Sequence, residues 1–167
     1  MKKAVLLTTS FLLGMVIGSY AITKYEQSMF KPWAWDHPPI VANCYGEEMN
    51  HLYIESAIRY WEEKGHEFAF IVNEPPDSVC DYDLLDGFII LKKARLKDPT
   101  LAATKRKQGI LKNIKAALIE FSPGTYRLNN VMEHEFGHAL GYSHVEIAGH
   151  IMHPNFEKMT SKFWIPD

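Results

Sequence analysis

The chain has 167 residues, with 18 basic and 20 acidic side chains and a formal net charge of −2. This length predicts one domain, and a hydrophobic fraction of 47% with 13% aromatic residues excludes a disordered chain. The small net charge gives no overall signal for nucleic acid, so we expect no nucleic-acid partner.

Residues 1–23 predict an export signal. Lys2 and Lys3 precede an uncharged apolar run over residues 4–23, and Lys24 closes it. Small residues near the end of the run favour cleavage as a signal peptide, whereas its length favours retention as a signal anchor. Both outcomes stay open, and in both the protein is exported. It is then either secreted or anchored in the membrane through residues 4–23.

Residues 24–39 are interpreted as a tether. Prolines at positions 32, 38 and 39 disfavour regular structure. The tryptophans of this stretch could instead pack on the domain or lie at a membrane interface.

The remaining residues, 40–167, predict an α+β domain. We expect strands over 40–45, 68–72, 87–91 and 114–121, an amphipathic helix over 47–64 that Gly65 ends, and a short last helix over 155–162. The apolar positions of the long helix are Met49, Leu52, Tyr53, Ser56, Ala57, Tyr60 and Trp61.

The two cysteines, Cys44 and Cys80, fit no redox or zinc-ribbon spacing. In an oxidising compartment they could form one disulfide. Two buried thiols are the alternative.

Residues 92–115 carry nine cations against one acid, Asp98. One interpretation is a solvated loop that joins two strands. The other is a basic patch that attracts an anionic surface such as phospholipid or acidic cell-wall polymer.

Residues 134–144 carry the strongest functional signal, since they read HEFGHALGYSH. His134 and His138 are four apart, so on a helix they can direct two nitrogens at one zinc ion. Glu135 can face the open side of the metal without binding it. Gly141 can end the helix in a left-handed conformation, which lets His144 return as a third ligand. Three protein ligands leave one position for water, as in catalytic zinc sites.

Met152 and Pro154 follow the third histidine at the distance of a tight methionine-containing turn. With this turn at residues 151–154, the pattern resembles the metzincin zinc peptidases and is most similar to their matrixin-like branch. Two positions depart from the usual matrixin pattern: Val145 stands where serine or threonine is common, and His153 where an aromatic is common.

The residues themselves predict the motif helix over about 128–140, with Asn129 or Asn130 as a candidate N-cap. The resemblance implies a metzincin-like catalytic domain: a mixed twisted sheet, a long N-terminal helix, the zinc-site helix, the Met-turn and a short C-terminal helix. It also implies one catalytic Zn²⁺. Residues 24–39 are too short for an inhibitory prodomain and lack the cysteine-containing peptide that blocks zinc in matrixin zymogens, so we expect no such latency. Met152 would support the imidazoles from below as an apolar floor. Tyr142 or His153 is a candidate hydrogen-bond donor to the reacting oxygen.

The implied activity is zinc-dependent endopeptidase cleavage of a peptide or protein by a zinc-activated water, with Glu135 as general base. We expect a monomer. The alternatives are a zinc amidase acting on cell-wall peptides and a catalytically silent binding module, although a silent module has no need of Glu135. The remaining histidines are not needed for the ligand set: His150 and His153 lie near the site in sequence, and His37, His51 and His66 are expected on the surface.

Overall fold

The computed structural model of the protein describes residues 34–110 and 113–165. Its strands are β1 (Ile40–Asn43), β2 (Ile71–Val72), β3 (Phe88–Lys93), β4 (Ala102–Gln108) and β5 (Ile114–Phe121), and its α-helices are α1 (His51–Glu62), α2 (Asp77–Cys80) and α3 (Val131–Ala139). Single 3₁₀ turns lie at Thr125–Arg127 and Phe156–Lys158. Within these two ranges no helix combines the length and apolarity needed to cross a bilayer. The predicted leader lies outside the described residues.

The strands form one five-stranded sheet in the order β2-β1-β3-β5-β4. The pairs β1–β2, β1–β3 and β3–β5 are parallel, and only β4 runs antiparallel to its neighbour β5. This mixed sheet with separate helices confirms the predicted α+β class. It also makes β4 the edge strand on the side of the sheet away from β2.

The central strands are apolar at nearly every position because both faces of the sheet are covered. On β3, Ile89 and Leu91 belong to the main core, which also contains the buried residues of α1 and α3. Ile90 lies on the opposite face and packs with Ala42 and Leu118. The sheet therefore supports α3 from one side, and this helix carries the predicted metal ligands.

Helix α1 begins later than predicted and buries a different face. Asn50 caps it by accepting the Leu52 N–H at 3.0 Å, and Gly65 follows its end with a left-handed φ of 87°. Leu52 and Tyr53 were assigned to the apolar face but are 58% and 40% exposed. The buried residues are Ile54, Ala57, Ile58 and Trp61. These positions have the same three- and four-residue spacing as the predicted set and share Ala57 and Trp61 with it, so the buried stripe is rotated around the helix.

Strand β4 corrects the prediction of a loop over residues 92–115. Successive side chains of β4 point to opposite faces. Thr104 and Arg106 form hydrogen bonds with α3, whereas Lys105 and Lys107 lie on the other face and are exposed. Lysines are common on edge strands, where they discourage pairing with other chains, and here they conceal the strand pattern in the sequence.

The cations of the basic segment are largely balanced by nearby acids. Of the eight that the structure describes, five form ion pairs: Lys92–Asp83, Lys93–Glu48, Lys105–Glu120, Lys107–Asp86 and Lys115–Asp36. A sixth, Arg106, donates to a backbone carbonyl. This pairing argues against a basic patch for anionic surfaces.

The predicted C-terminal helix over 155–162 is wrong, because only one 3₁₀ turn forms. After that turn the chain runs beside residues 149–151. The Gly149 and Ile151 N–H groups donate to the carbonyls of Lys158 (2.8 Å) and Lys162 (2.7 Å). A continuous helix would need the Lys158 carbonyl for its own hydrogen bonds.

The described part of the predicted tether, residues 34–39, contacts the domain. Trp35 forms a bridge with Ile114, and its indole N–H donates to the Ala139 carbonyl at 3.1 Å. Asp36 accepts from Asn113 and pairs with Lys115. Of the interpretations offered for the tryptophans of this stretch, Trp35 agrees with the one in which the side chain packs on the domain.

Cys44 and Cys80 form a disulfide across 36 positions of sequence. The bond joins the residue after β1 to the last residue of α2, which confirms the disulfide rather than two free thiols.

Candidate metal centre

Three imidazoles converge at the end of α3. His134 and His138 lie on one face of the helix, and His144 returns to them after the helix ends. One ring nitrogen from each lies within 4.8 Å of the others, and the Nε2 atoms of His138 and His144 are 3.1 Å apart. The predicted ligand residues are therefore together in space.

The chain reverses through a Schellman motif at the end of α3. The Gly141 N–H donates to the His138 carbonyl and the Tyr142 N–H to the Gly137 carbonyl, both at 3.0 Å. Gly141 has φ of 106°, a conformation that glycine adopts at little cost. The predicted helix stop is correct. At the start of α3, Asn130 is the N-cap, but it has φ of 65° and no capping side-chain bond.

Two backbone carbonyls fix the orientation of the helical imidazoles. The Nδ1–H of His134 donates to the Ile151 carbonyl and that of His138 to the Tyr142 carbonyl, both at 2.8 Å. Each Nε2 is then the free nitrogen of a neutral ring. Such partners are typical of metal-binding histidines, so the orientation of these two rings fits a metal ion.

Burial keeps these rings neutral. It lowers the pKa of His134 to about 4 and that of His138 to about 3, against the weaker opposing effect of each carbonyl partner. The pKa of His144 is also lowered by burial. Because only a neutral imidazole binds a metal, this environment prepares the cluster for a divalent cation. Three imidazole nitrogens suit zinc in particular.

Glu135 lies beside the cluster and is only 6% exposed. Its Oε2 accepts a hydrogen bond of 2.6 Å from the Thr104 hydroxyl on β4. Burial raises the pKa of the Glu135 carboxyl to about 7, although the Thr104 bond acts in the opposite direction. The carboxyl group can therefore exchange a proton near neutral pH.

Met152, the methionine of the predicted Met-turn, packs against helix α3 close to Gly137. It is fully buried, and its carbonyl accepts the Val145 N–H at 2.9 Å, just after the third histidine. A Cβ on Gly137 would lie 2.4 Å from the Met152 sulfur and 2.7 Å from the Trp61 ring. The glycine at the centre of the motif is thus required for the methionine to pack against the helix.

A cleft of about 760 Å³ opens beside His134, Glu135 and His144. Residues 99–102, which lead into β4, form one wall, and residues 153–157, from the end of the Met-turn onward, form another. The side chain of Val131 and that of Met159 add apolar surface. A ligand in this cleft reaches the imidazoles and the carboxylate together.

The other candidate residues have separate positions. Tyr142 stacks on Trp61 at 5.0 Å between ring centroids, and its hydroxyl bonds to His66 Nε2 at 2.8 Å. The prediction that Tyr142 donates to the reacting oxygen is therefore wrong, since its ring packs on Trp61 and its hydroxyl is hydrogen-bonded to His66. His66 was expected on the surface but is half-buried by this contact, while His37 and His51 are exposed as predicted.

His150, just before the Met-turn, and His153, within it, are buried and are not part of the three-imidazole cluster. His150 accepts the Met152 N–H and donates to the Trp164 carbonyl, so its ring is structural. His153 accepts the Asn155 N–H at its Nδ1 and lines the cleft.

Sequence reasoning missed Thr104 and Arg106. Thr104 contacts Glu135, and the Arg106 guanidinium donates to the His138 carbonyl at 2.8 Å. No motif marks either residue. The signal that could have found them is their spacing of two, which places both on one face of a strand.

Comparison with known families shows which family the chain belongs to. The family model for matrixin matches residues 65–167, which include the three imidazoles, Glu135 and the Met-turn. The chain belongs to the matrixin family, a family of zinc metallopeptidases, and the mixed sheet with its helices fits the metzincin-like fold predicted from the motif. No curated protein matches the chain.

Proposed function

We propose that this matrixin is an exported zinc endopeptidase in which His134, His138 and His144 hold one catalytic zinc ion and Glu135 is the general base. The observation that supports this best is the convergence of three imidazoles beside a buried carboxylate at a cleft. A closed structural site would not need the carboxylate or the cleft.

Zinc bound by three neutral imidazoles supplies Lewis acidity, which makes water a stronger acid and polarises a peptide carbonyl. Glu135 accepts the proton of the attacking water and then delivers it to the departing amine. Its pKa of about 7 suits both steps, because a general base works best when its pKa is near the working pH.

The substrate that fits the fold is an extended polypeptide. Within the described residues β4 pairs only with β5, so its outer edge can pair with a peptide through main-chain hydrogen bonds. The cleft is lined by residues 99–102, the last of which is the first residue of β4. A peptide bound there would present one carbonyl to the metal site.

His153 is proposed as the donor to that carbonyl oxygen. Its Nδ1 accepts a backbone N–H, so the proton of the neutral ring lies on Nε2. His153 also lines the same cleft as Glu135. An N–H donor near the reacting oxygen would stabilise the charge that develops there.

Export is supported by the apolar leader over residues 4–23 and by the disulfide between Cys44 and Cys80. Disulfides of this kind persist in oxidising compartments. The choice between a cleaved signal peptide and a retained signal anchor stays open, and the tether boundaries and the monomeric state stay predictions.

The experiment uses the purified full-length chain, a diverse peptide library and mass spectrometry of the products, with and without a zinc chelator. We expect chelator-sensitive internal cleavage. Glu135→Gln should bind zinc normally and lose hydrolysis by several orders of magnitude. Glu133→Gln is the matched control, because this glutamate lies on the same helix but faces a different surface depression.

Two results would contradict the proposal. Cleavage by Glu135→Gln at the wild-type rate would remove the general base. Inactivity on every peptide together with hydrolysis of peptidoglycan would support the amidase alternative.

A further inference from the structure

Edge strand β4 contacts the motif helix α3 through two polar side chains. The Thr104 hydroxyl lies 2.6 Å from Oε2 of Glu135 and 3.2 Å from the Glu135 carbonyl oxygen. Two residues further along the strand, Arg106 donates to the carbonyl of His138. These bonds lie about one helical turn apart on α3, so they fix the position of the strand along the helix.

The Thr104 bond restrains the buried carboxylate of Glu135. Within residues 34–110 and 113–165, Thr104 is the only donor to the Glu135 carboxylate. With Oε2 held by the strand, Oε1 is the oxygen left to face a reacting proton. Threonine suits this task because its branched Cβ restricts χ1 and holds the hydroxyl in one direction.

We propose that Thr104 is a positioning residue for Glu135. Its hydroxyl holds one carboxylate oxygen so that the other is directed into the cleft beside the three imidazoles. The inference rests on the proposed function, because it assigns Thr104 a role in the proton transfer by Glu135. It also connects substrate binding to catalysis, since the strand expected to pair with the peptide also orients the base.

The test compares two pairs of variants that differ by one hydroxyl: wild type with Thr104→Val, and Thr104→Ser with Thr104→Ala. The substrate is the library peptide that the wild-type chain cleaves fastest. In each pair, loss of the hydroxyl should lower kcat roughly 10- to 100-fold, with KM changed less than about threefold. Thr104→Ser should stay within about fivefold of wild type, since serine keeps the donor with a freer χ1.

Thr125→Val is the matched control. Thr125 is also half-buried, and its hydroxyl makes a bond of the same length, 2.6 Å, but to the backbone carbonyl of Leu101. Its replacement should lower stability without a comparable fall in kcat. If Thr104→Val fails to fold, the serine and alanine pair still isolates the hydroxyl.

A second measurement does not depend on activity. In metal-free protein labelled with ¹³C at glutamate carboxyl carbons, the Glu135 resonance is the one missing from Glu135→Gln. Loss of the Thr104 hydroxyl should move this resonance in both pairs, and Thr125→Val should not. Unchanged kcat and an unchanged resonance would overturn the inference even if Glu135→Gln is inactive. Full activity of Glu135→Gln would instead refute the proposed function itself.

Discussion

Gly137 is the residue whose substitution tests most directly how the metal helix is supported. It lies in the second half of α3, between the predicted metal ligands His134 and His138. An added Cβ would meet the Met152 sulfur at 2.4 Å and the Trp61 ring at 2.7 Å. Contacts below 3.0 Å require a neighbour to move, and both neighbours are fully buried.

The expected change in unfolding free energy combines two opposing effects. Alanine is favoured over glycine in a helix by about 1 kcal/mol. Overpacking of a buried site costs roughly 1–3 kcal/mol and sometimes more. With two close contacts, one of them to a rigid indole, we expect the packing effect to prevail. Gly137→Ala should destabilise the protein by about 1–2 kcal/mol.

The measurement is urea unfolding of the metal-free chain, followed by tryptophan fluorescence. Zinc affinity, from competition with a chelator, should fall as well, because a displaced Met152 moves the Ile151 carbonyl that orients His134. A double-mutant cycle with Met152→Ala isolates the contact. The second substitution should cost less in the Gly137→Ala background, since the sulfur clash is then absent. Stability equal to or above wild type for Gly137→Ala would refute this account of the packing.

Three further predictions concern the ligands, pH and the disulfide. His144→Ala should weaken zinc binding by at least tenfold in chelator competition, while His37→Ala, an exposed histidine, should not; equal affinities would contradict the third ligand. The pH prediction concerns metal-free protein between pH 4.5 and 6.5. In the folded chain the pKa values of His134 and His138 are about 4 and about 3, so both rings are neutral, whereas Glu135, with a pKa of about 7, holds one proton. In the unfolded chain the two imidazoles bind two protons and Glu135 is ionised. Stability should therefore fall by roughly 1.4 kcal/mol per unit as pH decreases through this window, and more steeply in Glu135→Gln; an unfolding free energy that does not change with pH would refute this. Reduction of the Cys44–Cys80 disulfide should lower stability by about 4 kcal/mol, from the entropy of the loop it closes, and an unchanged urea midpoint would be inconsistent with that bond.

The sequence predicted the parts of the site that depend on local spacing. His134 and His138 are four apart on a helix, and a glycine with positive φ ends that helix, so both the shared face and the reversal follow from short-range rules. The strands with continuous apolar runs were also predictable, because both of their faces are buried. Each of these signals lies within a few residues of the structure that it specifies.

The features that were predicted wrongly or missed depend on contacts between distant segments of the chain. Strand β4 was hidden because its outward face carries lysines and its inward face carries Thr104 and Arg106, whose partners lie on α3. The role of His66 was missed because its partner, Tyr142, is 76 positions away. The C-terminal segment follows residues 149–151 through backbone bonds, which no side-chain pattern encodes.

The metal ligands and the proposed base are held by different parts of the fold. The orientation of His134 and His138 depends on the carbonyls of Ile151 and Tyr142, which lie in the segments after α3. Glu135 depends on Thr104, which lies on the edge strand. Changes around the Met-turn should therefore lower zinc retention first, whereas changes on β4 should leave zinc bound and lower the rate of proton transfer. A Thr104 variant that loses zinc while keeping its kcat in the zinc-loaded fraction would show that this separation is false.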